Sequence, residues 1–146
     1  MKSNFYRMYP EYNFAVVKLQ SEFLYLEELD KLNNEYKLDP NYSKIHYLVI
    51  IIDEKSRPNF KISDLGRLSK KYNTEPQENN HKSVVWVVSR PIITALAHLF
   101  ILKTKDNSSY CSTTKKAYRL LEAPFDYDTF SHLIETAVEV NNKCDK

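Results

Sequence analysis

The sequence predicts an α/β fold with a mixed, mainly parallel sheet of about five strands and helices packed against it. Residues 45–53 and 84–88 are apolar without alternation, which is typical of strands buried on both faces. Segments with helical periodicity separate these strands, as the crossovers of a parallel sheet require. The length of 146 residues suits a single domain over residues 1–146, without a linker-like stretch.

The first third of the chain predicts a hairpin and a helix. Residues 4–9 and 13–19 have the composition of β-strands, and residues 10–13 suit the turn between them. A helix is expected from about Ser21, and it ends before Pro40, because proline restricts the residue that precedes it. The apolar stripe of this helix consists of Tyr25, Leu29, Leu32 and Tyr36.

The rest of the chain alternates between helices and strands. A polar loop over residues 54–60 leads to a helix over about 63–72, which precedes the strand at 84–88. Pro91 suits the first turn of the next helix, where its missing N–H does no harm. The remaining elements are a short strand over 109–112, a helix capped by Thr113 or Thr114, and a last helix over about 128–140.

The charge balance and the cysteine content indicate which classes of partner and which cellular compartment to expect. The net charge of +2, from 21 basic and 19 acidic residues, is too balanced to indicate nucleic acid or a membrane surface. Cys111 and Cys144 lie far apart, so we expect reduced thiols. The N-terminus lacks an apolar signal core, and no apolar run approaches the roughly 20 residues of a membrane helix. The sequence therefore predicts a cytoplasmic protein.

The sequence contains one glycine, Gly66, and this argues against several cofactor classes. Phosphate-binding loops need glycines so that the backbone can approach the ligand closely, and we therefore expect no nucleotide cofactor. The four histidines lie in separate predicted elements, and the acidic pair that begins at Asp53 is too few ligands for a metal. We expect no metal, no catalytic residues and no enzymatic activity.

The candidate binding residues follow the predicted strands, because ligands of open α/β sheets lie beyond the carboxyl ends of the strands. They are Asp53, Ser56, Arg57, Ser89, Arg90, Thr113 and Thr114. Hydroxyls and arginines at helix N-termini can bind an anion. Helix capping is the simpler explanation for Ser89, Thr113 and Thr114.

The element order resembles that of the STAS domain (sulphate transporter and anti-sigma factor antagonist), in its divergent bacterial branch, over about residues 5–122. The resemblance is carried by residues 47–53, 84–89, 91–100 and 110–121. The last segment resembles the family's short strand, Ser/Thr cap and alanine-containing helix. The resemblance implies a non-enzymatic protein-interaction module in bacterial cytoplasmic signalling. It also implies a protein partner, such as a kinase-like regulator or a second copy in a homodimer.

The resemblance also implies a serine switch. Family members carry the phosphorylated serine in an Asp-Ser-Ser-Gly-like motif at the start of the helix that follows the central strand. Asp53 matches the acidic residue, but the Ser-Ser-Gly does not follow it, and Ser56 comes three residues later. Ser63 lies at the predicted helix start, where the helix dipole stabilises a phosphate, so it is the better candidate phosphosite. The alternative is that Ser63 is an ordinary N-cap.

A second hypothesis is a small-ligand carrier that uses the same strand-end face. A pocket lined by Arg57 or Arg90 and deep enough to bury an anionic or apolar molecule would favour the carrier. A flat, partly apolar surface would favour the protein partner.

Overall fold

The computed structural model describes residues 3–61, 63–64, 67, 81–88 and 108–138. The strands of this part of the chain are β1 (Phe5–Tyr9), β2 (Phe14–Leu19), β3 (Phe23–Leu24), β4 (Tyr47–Ile52), β5 (Arg57–Pro58), β6 (Ser83–Val87) and β7 (Ser108–Cys111). Its helices are α1 (Leu26–Leu38), α2 (Thr114–Leu121) and α3 (Tyr127–Thr136).

Within the described residues, five strands form one sheet in the order β1-β2-β4-β6-β7, and β3 and β5 form a separate two-stranded sheet. The first pair, β1 with β2, is antiparallel, and the three pairs that follow are parallel. The predicted α/β class and five-stranded sheet are confirmed. Because both kinds of pairing occur, the structure supports the description of a mixed sheet rather than that of a mainly parallel sheet.

Asn13 closes the hairpin and connects it to the next strand. It adopts the left-handed conformation with φ of 54°, which asparagine tolerates better than most residues. Its backbone N–H donates to the carbonyl of Pro10, and its Nδ2 donates to the carbonyl of Lys44 at 2.7 Å. The backbone N–H groups of His46 and Tyr47 donate to the Asn13 carbonyl. The turn therefore also fixes where β4 begins beside β2.

The two apolar strands lie side by side in the middle of the sheet. β4 pairs parallel with β6, and Val49 is in register with Val85. Both valines are fully buried, while their neighbours Leu48 and Val84 are buried on the opposite face. The prediction that both strands are central and covered on both faces is confirmed.

Each face of the sheet has its own core. On one face, α2 and α3 cover a cluster that consists of Phe5, Phe14, Val16, Val49, Val85, Val87, Cys111, Ala117, Leu121, Phe130, Leu133, Ile134 and Ala137. On the other face, α1 covers a cluster that consists of Ala15, Val17, Leu19, Leu24, Tyr36, Ile45, Leu48, Ile52, Val84 and Val88. Burial of apolar area on both faces, at roughly 25 cal/mol per Å², is the main source of stability.

Three predicted elements differ from the structure. The helix expected from Ser21 begins at Leu26, because the preceding residues are extended and β3 pairs with β5. Tyr25, expected on the buried stripe, precedes the helix and is 38% exposed. The predicted loop over 54–60 contains β5, and the last helix ends at Thr136 rather than near 140.

Two other predicted helices fall wholly or partly on residues that are not described. In the segment over 63–72, Ser63, Asp64 and Arg67 are helical. The helix expected from Pro91 lies outside the described residues. In the part of the chain that the structure describes, no helix is both long enough and apolar enough to cross a bilayer.

Candidate functional site

The candidate site is one edge of the sheet, where β2, β4, β6 and β7 all end because they run parallel. We call it the carboxyl edge and define it by residues 20–21, 53–57, 88 and 112–114, which follow those four strands. Antiparallel β1 begins at this edge, so Asn4 also lies there. The opposite end of the sheet is the amino edge.

Asn4 holds the end of β2. Its Oδ1 accepts hydrogen bonds from the backbone N–H groups of Gln20 at 2.8 Å and Ser21 at 3.0 Å. Two donors that would otherwise lack a strand partner are thereby paired, as buried backbone groups require. The chain therefore leaves the sheet at a fixed position before it forms β3.

Asp53 shapes the loop after β4. Its backbone N–H donates to the carbonyl of Leu19 at 2.9 Å, and its Oδ1 accepts from the backbone N–H of Lys55 at 2.8 Å. The backbone N–H of Ser56 donates to the Asp53 carbonyl at 3.0 Å. This is the side-chain turn that aspartate often forms with its own backbone. The carboxylate of Asp53 therefore has a structural role at the edge.

Ser56 does not present its hydroxyl on the edge, although the sequence placed it among the candidates. The residue is only 1% exposed, and its Oγ donates to the carbonyl of Ser21 at 2.7 Å. The carbonyl of Leu19 lies 3.4 Å from the same oxygen. The hydroxyl ties the loop after β4 to the end of β2. Because it is covered, a partner does not reach it.

Arg57 lies on the exposed side of the small β3–β5 sheet. It is in register with Phe23, while Leu24 is in register with Pro58. Successive side chains alternate between the faces of a strand. Since Leu24 is buried, Phe23 and Arg57 are on the outer face, where Phe23 is 40% exposed. The small sheet thus presents an aromatic ring beside a cation.

Thr113 and Thr114 begin α2. The Oγ1 of Thr113 accepts from the backbone N–H of Lys116 at 3.2 Å, so Thr113 is the N-cap, one of the two caps expected. Thr114 is the first residue of the helix and is exposed. The thiol of Cys111 donates to the carbonyl of Thr113, and burial raises the pKa of that thiol. A thiol that stays protonated is a poor nucleophile.

Some of the predicted site residues lie near each other at the carboxyl edge, whereas others fall outside the described residues. Asp53 follows β4 and Thr113 follows β7, two strands along the sheet, which corresponds to about 10 Å. Ser89 and Arg90 lie outside the described residues. Ser63 is exposed and helical. The carboxylate of Asp64 accepts from the backbone N–H of Lys61 at 3.1 Å, as the third residue of a capping box does.

A cleft that is not among the sequence-based predictions lies beside the small sheet. We call it the acidic cleft; it is lined by Tyr25, Leu26, Glu27, Asp30, Asn59, Phe60, Asp64 and Arg67. Its volume is about 360 Å³, and it is open to solvent. The helical spacing of Glu27 and Asp30 was the available signal. The lining comes from three separate segments, which only the folded chain brings together.

A cluster of aromatic rings at the amino edge packs around a partly buried histidine. The hydroxyl of Tyr36 lies 2.7 Å from Nε2 of His81, the two rings stack 5.8 Å apart, and Tyr42 meets His81 edge-on at 5.6 Å. Burial, aided by repulsion from His46 and Lys37, lowers the pKa of His81 to about 4. Burial also raises the pKa of Tyr36 well above its usual value. Both groups are therefore neutral near pH 7.

Tyr6 extends this cluster toward the end of α1. Its hydroxyl donates to a carboxylate oxygen of Asp39 at 2.8 Å, and its ring meets Tyr36 edge-on at 5.5 Å. Burial, together with the Asp39 carboxylate, raises the pKa of Tyr6 to about 12.

Within the described ranges, no group of three or more His, Cys, Asp or Glu residues is arranged to hold a metal ion. Neither a family model, nor a curated protein, nor a solved structure matches this chain.

Proposed function

We propose that this chain is a non-enzymatic, STAS-like regulatory module of the bacterial cytoplasm that binds a protein partner at the carboxyl edge. The observation that carries the proposal is the outer face of the β3–β5 sheet, where Phe23 and Arg57 stand side by side at the surface. Aromatic residues and arginine are the side chains most enriched at the centres of protein interfaces.

The hydrogen bonds of the carboxyl edge support binding rather than acid–base chemistry. Asp53, Ser56 and Thr113 direct their polar atoms to backbone groups and so hold the loops in place. The partly buried histidine with a strongly lowered pKa, His81, lies at the amino edge, away from these loops. A rigid edge with outward-facing Arg57 and Thr114 suits recognition of a partner surface.

The topology and one serine support the family-level part of the proposal. A hairpin followed by parallel strands added in chain order is compatible with the STAS-like element order that the sequence suggests. Ser63 is exposed in the first turn of its helix, whereas Ser56 is covered, so Ser63 is the phosphosite that we propose. The proposed partner is a kinase-like regulator, and a second copy of the chain is the alternative partner.

Affinity capture from a lysate of the source organism, followed by mass spectrometry, tests the proposal. Three baits are compared: the wild type, Arg57→Glu at the carboxyl edge, and Lys44→Glu near the amino edge, which carries the same change in charge. We expect the wild type and Lys44→Glu to enrich the same protein and Arg57→Glu to lose it. We also expect phosphate on Ser63. Equal recovery by all three baits would contradict the assignment of the edge.

A small-ligand carrier is a second candidate, and the acidic cleft is the observation that favours it. A volume of about 360 Å³ is at the low end of the roughly 300–1,000 Å³ of small-molecule sites. Native mass spectrometry of the purified protein separates the two functions. A reproducible bound metabolite, displaced when residues of the cleft are replaced, would support the carrier. A ligand-free protein that still captures a partner would support the regulatory module.

A further inference from the structure

We infer that β1 binds an extended segment of a protein partner along its outer side, and that this segment carries an acidic side chain opposite Arg7. The outer side of β1 is the side that does not face β2. In the part of the chain that the structure describes, β1 is the first strand of the sheet and pairs with β2 alone. This surface is separate from the outer face of the β3–β5 sheet, so the inference goes beyond the proposed function.

The register of the sheet shows which backbone groups of β1 face outward. The carbonyl of Leu19, the last residue of β2, accepts a hydrogen bond from the chain that follows β4, so the odd-numbered residues of β2 bond to β4. The even-numbered residues of β2 therefore bond to β1, where Val16 is in register with Arg7. Tyr6 and Met8 direct their N–H and C=O groups to the outer side, and no hydrogen bond from a described residue reaches them.

Two helices border the outer side of β1, one on each face of the sheet. The hydroxyl of Tyr6 lies 3.4 Å from the carbonyl of Glu35 on α1, and the hydroxyl of Tyr9 donates to the carbonyl of Leu133 on α3 at 3.0 Å. The side chains of an added strand would point alternately toward α1 and toward α3. Backbone hydrogen bonds provide affinity in such an addition, and the alternating side chains provide specificity.

Arg7 determines the chemistry of the segment. Its side chain is on the face that α3 covers, because Phe5 and Tyr9, two positions away on either side, pack into the core on that face. Its guanidinium carbon lies 5.6 Å from the centre of the Tyr9 ring. Arg7 is partly buried, and among the described residues no carboxylate pairs with it. A carboxylate on the added strand would supply the missing anion in a charge-assisted hydrogen bond.

A second copy of the chain fits this surface less well than an acidic segment. Antiparallel pairing of two β1 strands, with Tyr6 of one copy opposite Met8 of the other, would satisfy the outward-facing groups of both. The same register sets Arg7 opposite Arg7 of the second copy, and like charges directly opposite each other destabilise a sheet. Arg7 thus protects the strand from self-association, as charged side chains on edge strands often do, and selects a segment of opposite charge.

The test is a nuclear magnetic resonance titration of the ¹⁵N-labelled chain with an acetylated and amidated heptapeptide, threonine-valine-threonine-glutamate-threonine-valine-threonine. The matched peptide has glutamine in place of the central glutamate. We expect saturable shifts at the amides of Tyr6, Arg7 and Met8 in the millimolar range, and about threefold weaker binding of the glutamine peptide. The amide protons of Tyr6 and Met8 should also exchange more slowly with solvent at saturation. No response at β1, or equal affinity for the two peptides, would overturn the inference.

Reversing the charge of Arg7 gives a second, independent readout. We expect Arg7→Glu to bind a heptapeptide with a central lysine at least about threefold more tightly than the glutamate peptide, because the attractive pair is then restored with exchanged charges. Arg119→Glu makes the same change in charge at an exposed residue of α2, which packs on β6 and β7 at the other side of the sheet. This control should still prefer the glutamate peptide. The same preference in both variants would show that Arg7 does not select the segment.

Removing one outward-facing donor tests the backbone part of the inference. Met8→Pro deletes an N–H that does not bond to β2, so the sheet keeps its internal hydrogen bonds, and we expect at least about tenfold weaker binding of the glutamate peptide. Met8→Leu keeps the N–H and should bind within about twofold of the wild type. The charge exchange at Arg7 decides the question if Met8→Pro does not fold.

Sedimentation velocity of the free protein distinguishes a partner segment from a second copy. We expect the wild type to be a monomer. A wild-type dimer that Met8→Pro dissociates would mean that a second copy occupies the outer side of β1, and this result would contradict the inference.

Discussion

Lowering the pH should destabilise this fold through His81. The ring of His81 is stacked on Tyr36 and faces the edge of Tyr42, and its Nε2 lies 2.7 Å from the hydroxyl of Tyr36. The nearby charges that act on it, from His46 and Lys37, are also positive when protonated. A proton added to His81 is therefore opposed both by the loss of water and by like charge.

The size of the effect follows from the difference between the pKa of His81 in the folded protein and its pKa in the unfolded chain. The pKa of His81 is about 4 in the folded protein, against 6.5 for an ordinary histidine. Since each pKa unit corresponds to about 1.4 kcal/mol, the free energy of unfolding should fall by about 3 kcal/mol. The direction of this change follows from proton uptake: between pH 4 and 6.5 the unfolded chain binds more protons than the folded protein does. Stability is complete above pH 6.5 and is lost as the pH falls toward 4.

Urea denaturation between pH 7.5 and 4 measures this loss. The wild type is compared with His81→Phe, which keeps a stacked ring but cannot be protonated, and with His132→Gln, which replaces an exposed histidine on α3. His81→Phe also removes the hydrogen-bond partner of Tyr36, so its stability at pH 7.5 should be lower. We expect its curve against pH to be flatter than that of the wild type by about 3 kcal/mol.

Parallel curves for the wild type and His81→Phe would refute the reasoning, because the slope would then come from other groups. The carboxylates of Asp64 and Asp126 also have lowered pKa values, but both are present in all three proteins. A direct titration of the His81 ring by proton resonance provides the second check. An inflection near pH 6.5 would mean that burial does not control this histidine.

Three further predictions concern the core and the carboxyl edge, and chemical denaturation measures each of them. Phe130→Ala should cost about 3–5 kcal/mol, because the ring is fully buried and lies 5.8 Å from Phe14. Thr113→Ala should cost about 1 kcal/mol, because the first turn of α2 loses its side-chain cap. Ser56→Ala should cost about 1 kcal/mol, because the hydrogen bond from the buried Ser56 to the carbonyl of Ser21 is lost.

Each of these substitutions has a matched control. Tyr127→Ala removes a partly exposed ring from the same helix as Phe130 and should cost clearly less. Thr114→Ala leaves the cap of α2 in place, and Ser112→Ala removes an exposed hydroxyl near the same edge. A loss at Thr114 or Ser112 as large as that at Thr113 or Ser56 would contradict the assigned hydrogen bonds.

The centre of the sheet could be predicted because the local composition of its strands indicates burial. β4 and β6 lack the alternation of a half-exposed strand, and this alone indicates cover on both faces. The start of α1 could not be predicted in the same way. The residues after Ser21 are extended because β3 pairs with β5, which lies more than thirty positions away in the chain. No local pattern encodes such a pairing.

The same distinction holds for the candidate site. Asp53 and Thr113 were predicted at one edge because both follow strands expected to be parallel, and the ends of parallel strands meet. The burial of Ser56 was not predictable, because it depends on the carbonyl of Ser21 that the folded loop brings to 2.7 Å. The acidic cleft depends on three segments, and its charge is visible only after they are assembled.

The strand order has a consequence for how the protein forms on the ribosome. Each described strand of the five-stranded sheet lies next to the described strand that precedes it in that sheet along the chain, so none of these five has to insert between two that are already paired. A nascent chain can therefore extend the sheet outward from its hairpin as synthesis proceeds. One face gains its cover from α1 early, whereas α2 and α3, which cover Val16, Val49 and Val85, are synthesised after all five of these strands. This interval is when a nascent chain would most need a chaperone.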